Sequence, residues 1–243
     1  IYILGWKRGW QHGQDAVMFT DAGADINALM LYEANRQQFD ILLDDWHRYI
    51  KSNYANLVVG NVIDWILHQK TMDPPGPQEF YDRLIKATTK IYADSNVKGM
   101  FIHDLGRALS GRIGPYTTKE WLISGASALT EMRRLNGKFP FRVKIKLPKR
   151  LKTKKEFIIP VTIQNTSNKK YNNIILKPYI IGGKVLDEDE KRIDELLPHS
   201  SKAFNFKGII KYPAWSKKLK NMIAIQVKWE KPNGMVFKYV TAR

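Results

Sequence analysis

The chain has 243 residues, 44% of them hydrophobic, no cysteine, and a formal net charge of +17. That length suits one large domain or two ordinary ones. The lack of cysteine excludes a disulfide framework and thiol chemistry, and no apolar run approaches the ~20 residues needed to cross a bilayer.

In chain order, YILGW (Tyr2 to Trp6) reads as a short strand, and the polar, Gly-bearing KRGWQHGQD after it as a loop over a site. Asp15 to Ala24 suits a short helix leading into an apolar strand, Asn27–Ala34. Phe39, Leu42, Leu43, Trp46, Tyr49 and Ile50 recur at helical spacing, which predicts an amphipathic helix over 37–50. Leu57–Trp65 is the next strand. The Pro-rich loop Met72–Pro77 leads to a helix with a stripe of Phe80, Leu84, Ala87 and Ile91, and then to a fourth strand, Val97–Asp104. Thr117 and Glu120 form a capping-box pattern. The helix they open is predicted to run to about Leu135 and to stop at Asn136-Gly137.

Runs that are apolar at successive positions suit strands buried on both faces, as in a parallel sheet. The first part therefore reads as four strand–helix units. A complete eight-fold barrel needs about 250 residues, and this stretch is too short to supply one. The expectation is the C-terminal half of a (β/α)8 barrel, strands 5 to 8 over residues 1–138. A complete small open α/β sheet is the alternative. The chain begins at Ile1 rather than Met, so a processed or cut product is expected, with the first half-barrel upstream or on another chain.

From Phe139 the pattern alternates every second residue, in FRVKIKL, EFIIPVTIQN, YNNIILKPYII, KAFNFKGIIK, NMIAIQVKWE and MVFKYVTA. Turn residues separate these runs. Six or seven short strands in residues 139–243 predict an Ig-like β-sandwich. The acidic LDEDEKRIDELL between them reads as a helical turn or a solvated loop. The charge divides at the same place. Residues 1–138 hold 16 Lys/Arg and 15 Asp/Glu, whereas residues 139–243 hold 24 and 8.

The stretches VTIQNTSNKKYNNIIL, IDELLPHSSKAFNFKG and IAIQVKWEKPNGMVFKYVT resemble the CARDB/NEW3 group of bacterial and archaeal surface β-sandwiches. The first part looks like the second half of a glycoside-hydrolase-type barrel. Together these resemblances imply an extracellular or cell-surface carbohydrate-active enzyme with an accessory sandwich. The alternative is a non-catalytic surface adhesion or glycan-binding protein.

The candidate catalytic residues are Glu33, Asp64 and Asp104, acids at the ends of successive strands. Most glycosidases use two carboxylates across the scissile bond, and barrel chemistry sits at the carboxyl ends of strands. As strand-7 acid, Asp64 departs from the Glu usual in retaining barrel glycosidases. The same acids could instead cap helices or pair with Arg36 or Arg107. Trp6, Trp10, Tyr32 and Trp65 are candidate sugar platforms, since rings stack on apolar sugar faces; His68, His103 and Arg107 complete the candidate binding set. Trp46 and Trp121 fall on helices and read as core. No metal-ligand spacing is present, and no cofactor is implied. The partners expected are a carbohydrate and a missing half-barrel, or a second copy of the chain, covering the sheet edges. Nucleic acid is disfavoured, because the Lys residues spread over alternating strand faces without a recognition motif.

Overall fold

The computed structural model describes residues 2–6, 16–30, 37, 39–45, 57–62, 77–92, 97–103, 118–187, 189–212, 221–229 and 233–243. They fall into two compact units, residues 1–121 and 122–243. Among them, no helix is long and apolar enough to cross a membrane.

The first unit holds strands β1 (Tyr2–Trp6), β2 (Ile26–Met30), β3 (Leu57–Val62) and β4 (Val97–His103). They form one sheet in the order β1-β2-β3-β4, and every pair is parallel. Spatial order thus follows chain order. Helix α1 (Ala16–Asp21) precedes β2, residues 39–45 are helical, and helix α2 (Pro77–Tyr92) precedes β4. Pro77 suits the first helical position, where no N–H is needed.

The helical core follows the predicted stripes. Phe39, Leu42, Leu43, Phe80, Leu84 and Ala87 are all buried. Trp121 is buried as expected and meets the Phe80 ring edge-on at 5.7 Å. Arg83 is buried among them because its charge is met. Its guanidinium donates twice to Glu79 Oε1, at 3.0 and 2.6 Å, and lies over the Phe39 ring. Lys86 pairs with Asp40 at 2.7 Å.

Helix α3 (Thr118–Leu135) ends as the Asn136-Gly137 signal predicts. Gly137 adopts φ 67°, the Lys138 N–H donates to Arg133 O at 2.7 Å, and the Gly137 N–H donates to Arg134 O at 3.1 Å. This is a Schellman turn, in which a left-handed residue satisfies carbonyls the helix leaves open. Gly23 ends α1 in the same way, with φ 97°.

The second unit contains α3 from Leu122 onward and two β-sheets. One sheet has the order β5-β7-β11-β9, with β5 (Phe141–Ile145), β7 (Glu156–Asn165), β11 (Ser201–Ile210) and β9 (Gly183–Val185). The other has the order β10-β8-β12-β13-β6, with β10 (Lys191–Leu196), β8 (Tyr171–Ile180), β12 (Asn221–Lys228), β13 (Gly234–Ala242) and β6 (Arg150–Leu151). The entering segment contributes to both sheets: β5 pairs antiparallel with β7, and β6 pairs parallel with β13. Two facing sheets in this order form an Ig-like sandwich. Its core includes Ile159, Val161, Ile163, Leu176, Phe206, Ile223, Ile225 and Val227. Fully burying each such side chain contributes about 1.5–3 kcal/mol.

Two features depart from simple alternation. The segment expected to be a helical turn or a solvated loop contains β10, which pairs antiparallel with β8. Its two buried residues, Ile193 and Leu196, are three apart, a spacing that hides a strand. Asn173 on β8 explains it. Its φ of 57° breaks the pleat, so Tyr171 and Ile174 both face the core, and Leu196 and Ile193 opposite them do the same. The second departure is β12, which is buried along both faces. Ile223, Ile225 and Val227 point into the sandwich. Met222 and Ala224 pack with Ile123 of α3. The Thr130 hydroxyl donates to Ala126 O at 2.8 Å and accepts the Met235 N–H at 2.8 Å, which satisfies a backbone donor near the start of β13.

One buried amide ties an end of the sandwich together. Asn165 is wholly buried. Its Nδ2 donates to Lys169 O at 2.7 Å and Leu197 O at 3.0 Å, with Leu196 O at 3.3 Å. Its Oδ1 accepts from the N–H and the hydroxyl of Ser167, each at 3.0 Å. Asn165→Ala removes a partner from the buried Leu196 carbonyl and from several part-buried groups, and an unsatisfied buried group typically costs about 1–3 kcal/mol. The expected outcome is a urea midpoint for the sandwich lowered by the equivalent of about 2–3 kcal/mol. An unchanged midpoint would show that water replaces the amide at no cost.

Candidate functional site

The parallel register defines one edge of the first sheet. Trp6 pairs with Met30, Met30 with Gly60, and Gly60 with Phe101, so these four residues form a single rung across β1 to β4. Two residues on, Val62 pairs with His103. All four strands run the same way, so their carboxyl ends share this edge. Trp6 and His103 are the last residues of β1 and β4, and their backbones lie on it.

The other sequence candidates, Glu33, Asp64, Asp104, Trp10, Tyr32, Trp65, His68 and Arg107, lie outside the described residues. Trp46, read as core, lies there too, as does Thr117 of the capping box. Along the chain, Glu33 is the third residue after Met30, Asp64 the fourth after Gly60 and Asp104 the third after Phe101. Each acid therefore follows the same rung by three or four positions. Among the described residues, no group of three or more His, Asp or Glu could hold a metal ion.

In the second unit the charges segregate. Apart from Glu156, the described acids of the sandwich are Asp187, Asp189, Glu190, Asp194 and Glu195, on β10 and the link before it. They pair locally. Lys228 donates to Glu190, Lys177 lies 3.7 Å from the same carboxylate, and Lys170 meets Glu195 at 2.9 Å. The Lys228 hydrogen bond holds the Glu190 carboxyl below its ordinary pKa. The charges of Lys228, Lys177 and Arg192 act in the same direction, and partial burial opposes them.

The outer face of β5-β7-β11-β9 carries a single described acid, Glu156 at the start of β7. Arg142 and Lys144 of β5 and the following Lys146 are exposed on it, as are Lys207 of β11 and Lys184 of β9. The denser basic run Lys149–Lys155 lies elsewhere, on β6 and the turn into β7. The alternation in FRVKIKL was the signal for the basic face. Which strand it would flank was not legible.

Several aromatic rings of this unit serve its core. Phe139, Phe141, Tyr171 and Trp229 form edge-on contacts of 4.8–5.5 Å that close one end of the sandwich.

No family model and no curated protein matches the chain. Among solved structures, the solution structure of the CARDB domain of a Pyrococcus furiosus protein aligns with 42% of this chain and 94% of its own, at 18% identity and a TM-score of 0.33. The crystal structure of that domain in complex with di-metal ions covers 42% and 87%, at 17% identity and a TM-score of 0.35. Salmonella alpha-2-macroglobulin reacted with methylamine covers 43% of this chain and 7% of its own, at 9% identity and a TM-score of 0.37. The likeness concerns the C-terminal sandwich and adds nothing to the topology described above.

A lowered carboxyl pKa contributes stability that is present above the unfolded value and is lost as pH falls through the folded value. For Glu190 the ordinary value is 4.5, so its contribution fades on acidification below that point. Urea midpoints measured between about pH 3 and 6 should fall less steeply for Glu190→Gln than for the parent. Parallel curves would remove the Lys228 pairing from the acid response.

Proposed function

We propose that the chain is the C-terminal part of an extracellular or cell-surface glycoside hydrolase, with β1–β4 serving as strands 5 to 8 of a (β/α)8 barrel and the sandwich as an accessory domain. One observation carries this reading. Four parallel strands stand in chain order, and three acids follow a single rung at their carboxyl ends. An open sheet that binds at a topological switch point reverses its strand order there; this sheet has no reversal among the described strands. A barrel winds in one direction and gathers its chemistry where these acids depart.

The reading assigns Glu33, Asp64 and Asp104 as the carboxylates from which an acid and a nucleophile or base are drawn. A pair about 5–5.5 Å apart gives retention, and a wider pair, about 6.5–9.5 Å, gives inversion with a water between. Trp6, Trp10, Tyr32 and Trp65 form the sugar platforms, and His68, His103 and Arg107 bind sugar hydroxyls. The outer edges of β1 and β4 have no strand partner among the described residues. Exposed edges invite pairing, so a preceding half-barrel or a second copy of the chain covers them.

The test is Glu33→Gln, Asp64→Asn and Asp104→Asn, made singly in the whole protein and assayed on a panel of neutral and acidic oligosaccharides. At least one should lower kcat by about 10²–10⁴-fold with the far-UV spectrum unchanged. Wild-type rates in all three variants, or no hydrolysis of any glycan by the parent, would reject the catalytic assignment.

A further inference from the structure

We propose that the outer face of the β5-β7-β11-β9 sheet is a docking surface for a linear acidic polysaccharide. The inference rests on the second unit alone and does not depend on the barrel reading. On one side of this face stand Arg142, Lys144 and Lys146, at alternate positions and so about 7 Å apart along the strand. On the other stand Lys207 and Lys184, with Glu156 of β7 as the one described acid on the face. Among the described residues, no hydrogen bond or ion pair to any side chain engages these five. Across the sheet, Lys144 is in register with Thr162 and then Ala203, and Lys146 with Pro160 and then Asn205. Long cationic side chains thus flank a floor of short uncharged ones. With strands about 4.8 Å apart, β5 and β11 are about 10 Å apart, wide enough for one extended chain.

Two further observations narrow the partner. Charge on an edge strand guards against edge-to-edge pairing, and β5 is an edge strand. Lys207, however, lies on β11, between β7 and β9, where no edge needs guarding. The floor offers hydroxyl and amide groups but no aromatic ring. Single-stranded nucleic acid is held by stacking its bases on rings, so this floor suits sugar hydroxyls better. An anionic bilayer is held by apolar insertion as well as charge, and the floor presents Ile158 as its one exposed large apolar side chain.

The experiment uses the full chain and titrates polygalacturonate, dextran, oligothymidylate and vesicles of phosphatidylcholine with phosphatidylglycerol. Polygalacturonate should bind, more weakly as salt rises, while dextran should not. The triple variant Lys144→Gln, Lys146→Gln, Lys207→Gln should weaken that binding at least about tenfold. A triple variant with the same charge loss elsewhere, Lys152→Gln, Lys169→Gln, Lys211→Gln, should stay within about twofold. All six side chains are exposed, and thermal unfolding checks that both variants keep the fold. Equal losses in the two variants would reduce the effect to net charge and overturn the site. So would no binding of polygalacturonate, or binding of oligothymidylate or vesicles as tight as its own. Loss of glycan hydrolysis in the acid variants with polygalacturonate binding intact would separate this surface from the proposed catalytic edge.

Discussion

The sandwich depends on one buried polar side chain. Asn165 lies at the end of β7, where β5 and β10 also begin or end and the turns into β8 and β11 pass. A primary amide without partners would destabilise this site by a few kcal/mol. Here its oxygen and its nitrogen are both engaged, and the bonds reach two separate turns. The turn after β7 is held by Ser167 and Lys169, and the turn before β11 by Leu197. The backbone N–H of Asn165 adds a bond to Ser200 O at 3.0 Å. The next residue, Thr166, donates its N–H and its hydroxyl to Pro140 O. Segments far apart in sequence thereby meet at one point.

Once that end is closed, the faces of the two sheets have different fates. The outer face of the β8-β12-β13 layer is covered by α3, through Ile123 and through Thr130. This is why the second unit starts at Leu122, within the helix and before the first sandwich strand. The outer face of the other sheet stays open, and its basic side chains stay exposed. Two acids, Glu190 just before β10 and Glu195 on it, are engaged instead with Lys170, Lys177 and Lys228. Five of the 24 basic residues of 139–243 thereby share one open face.

In the first unit the constraint is direction. Parallel pairing requires a crossover between neighbouring strands, and helices serve that purpose here. The crossovers bury Phe39, Leu43, Phe80 and Leu84, and they carry Arg83 inside with Glu79 as its counter-charge. They also align the carboxyl ends of all four strands, so residues tens of positions apart leave the sheet from one edge.

Much of this was legible in the sequence. The elements β1, β3 and β4, the helix stripes, the Gly137 stop and six of the sandwich strands follow from period, apolar runs and turn residues. Those signals are local. The three acids could be picked out by their place after apolar runs. The rung they follow in the chain could not, because register depends on pairing between strands and not on any one strand. Strand β10 was hidden because Asn173, on a different strand, resets the pleat that Ile193 and Leu196 must match. The burial of both faces of β12 depends on a helix about a hundred residues earlier. Composition determined that the C-terminal part would be basic. Only the tertiary structure decided which face stays bare, because that depends on where α3 packs and where the acids of β10 find their lysines.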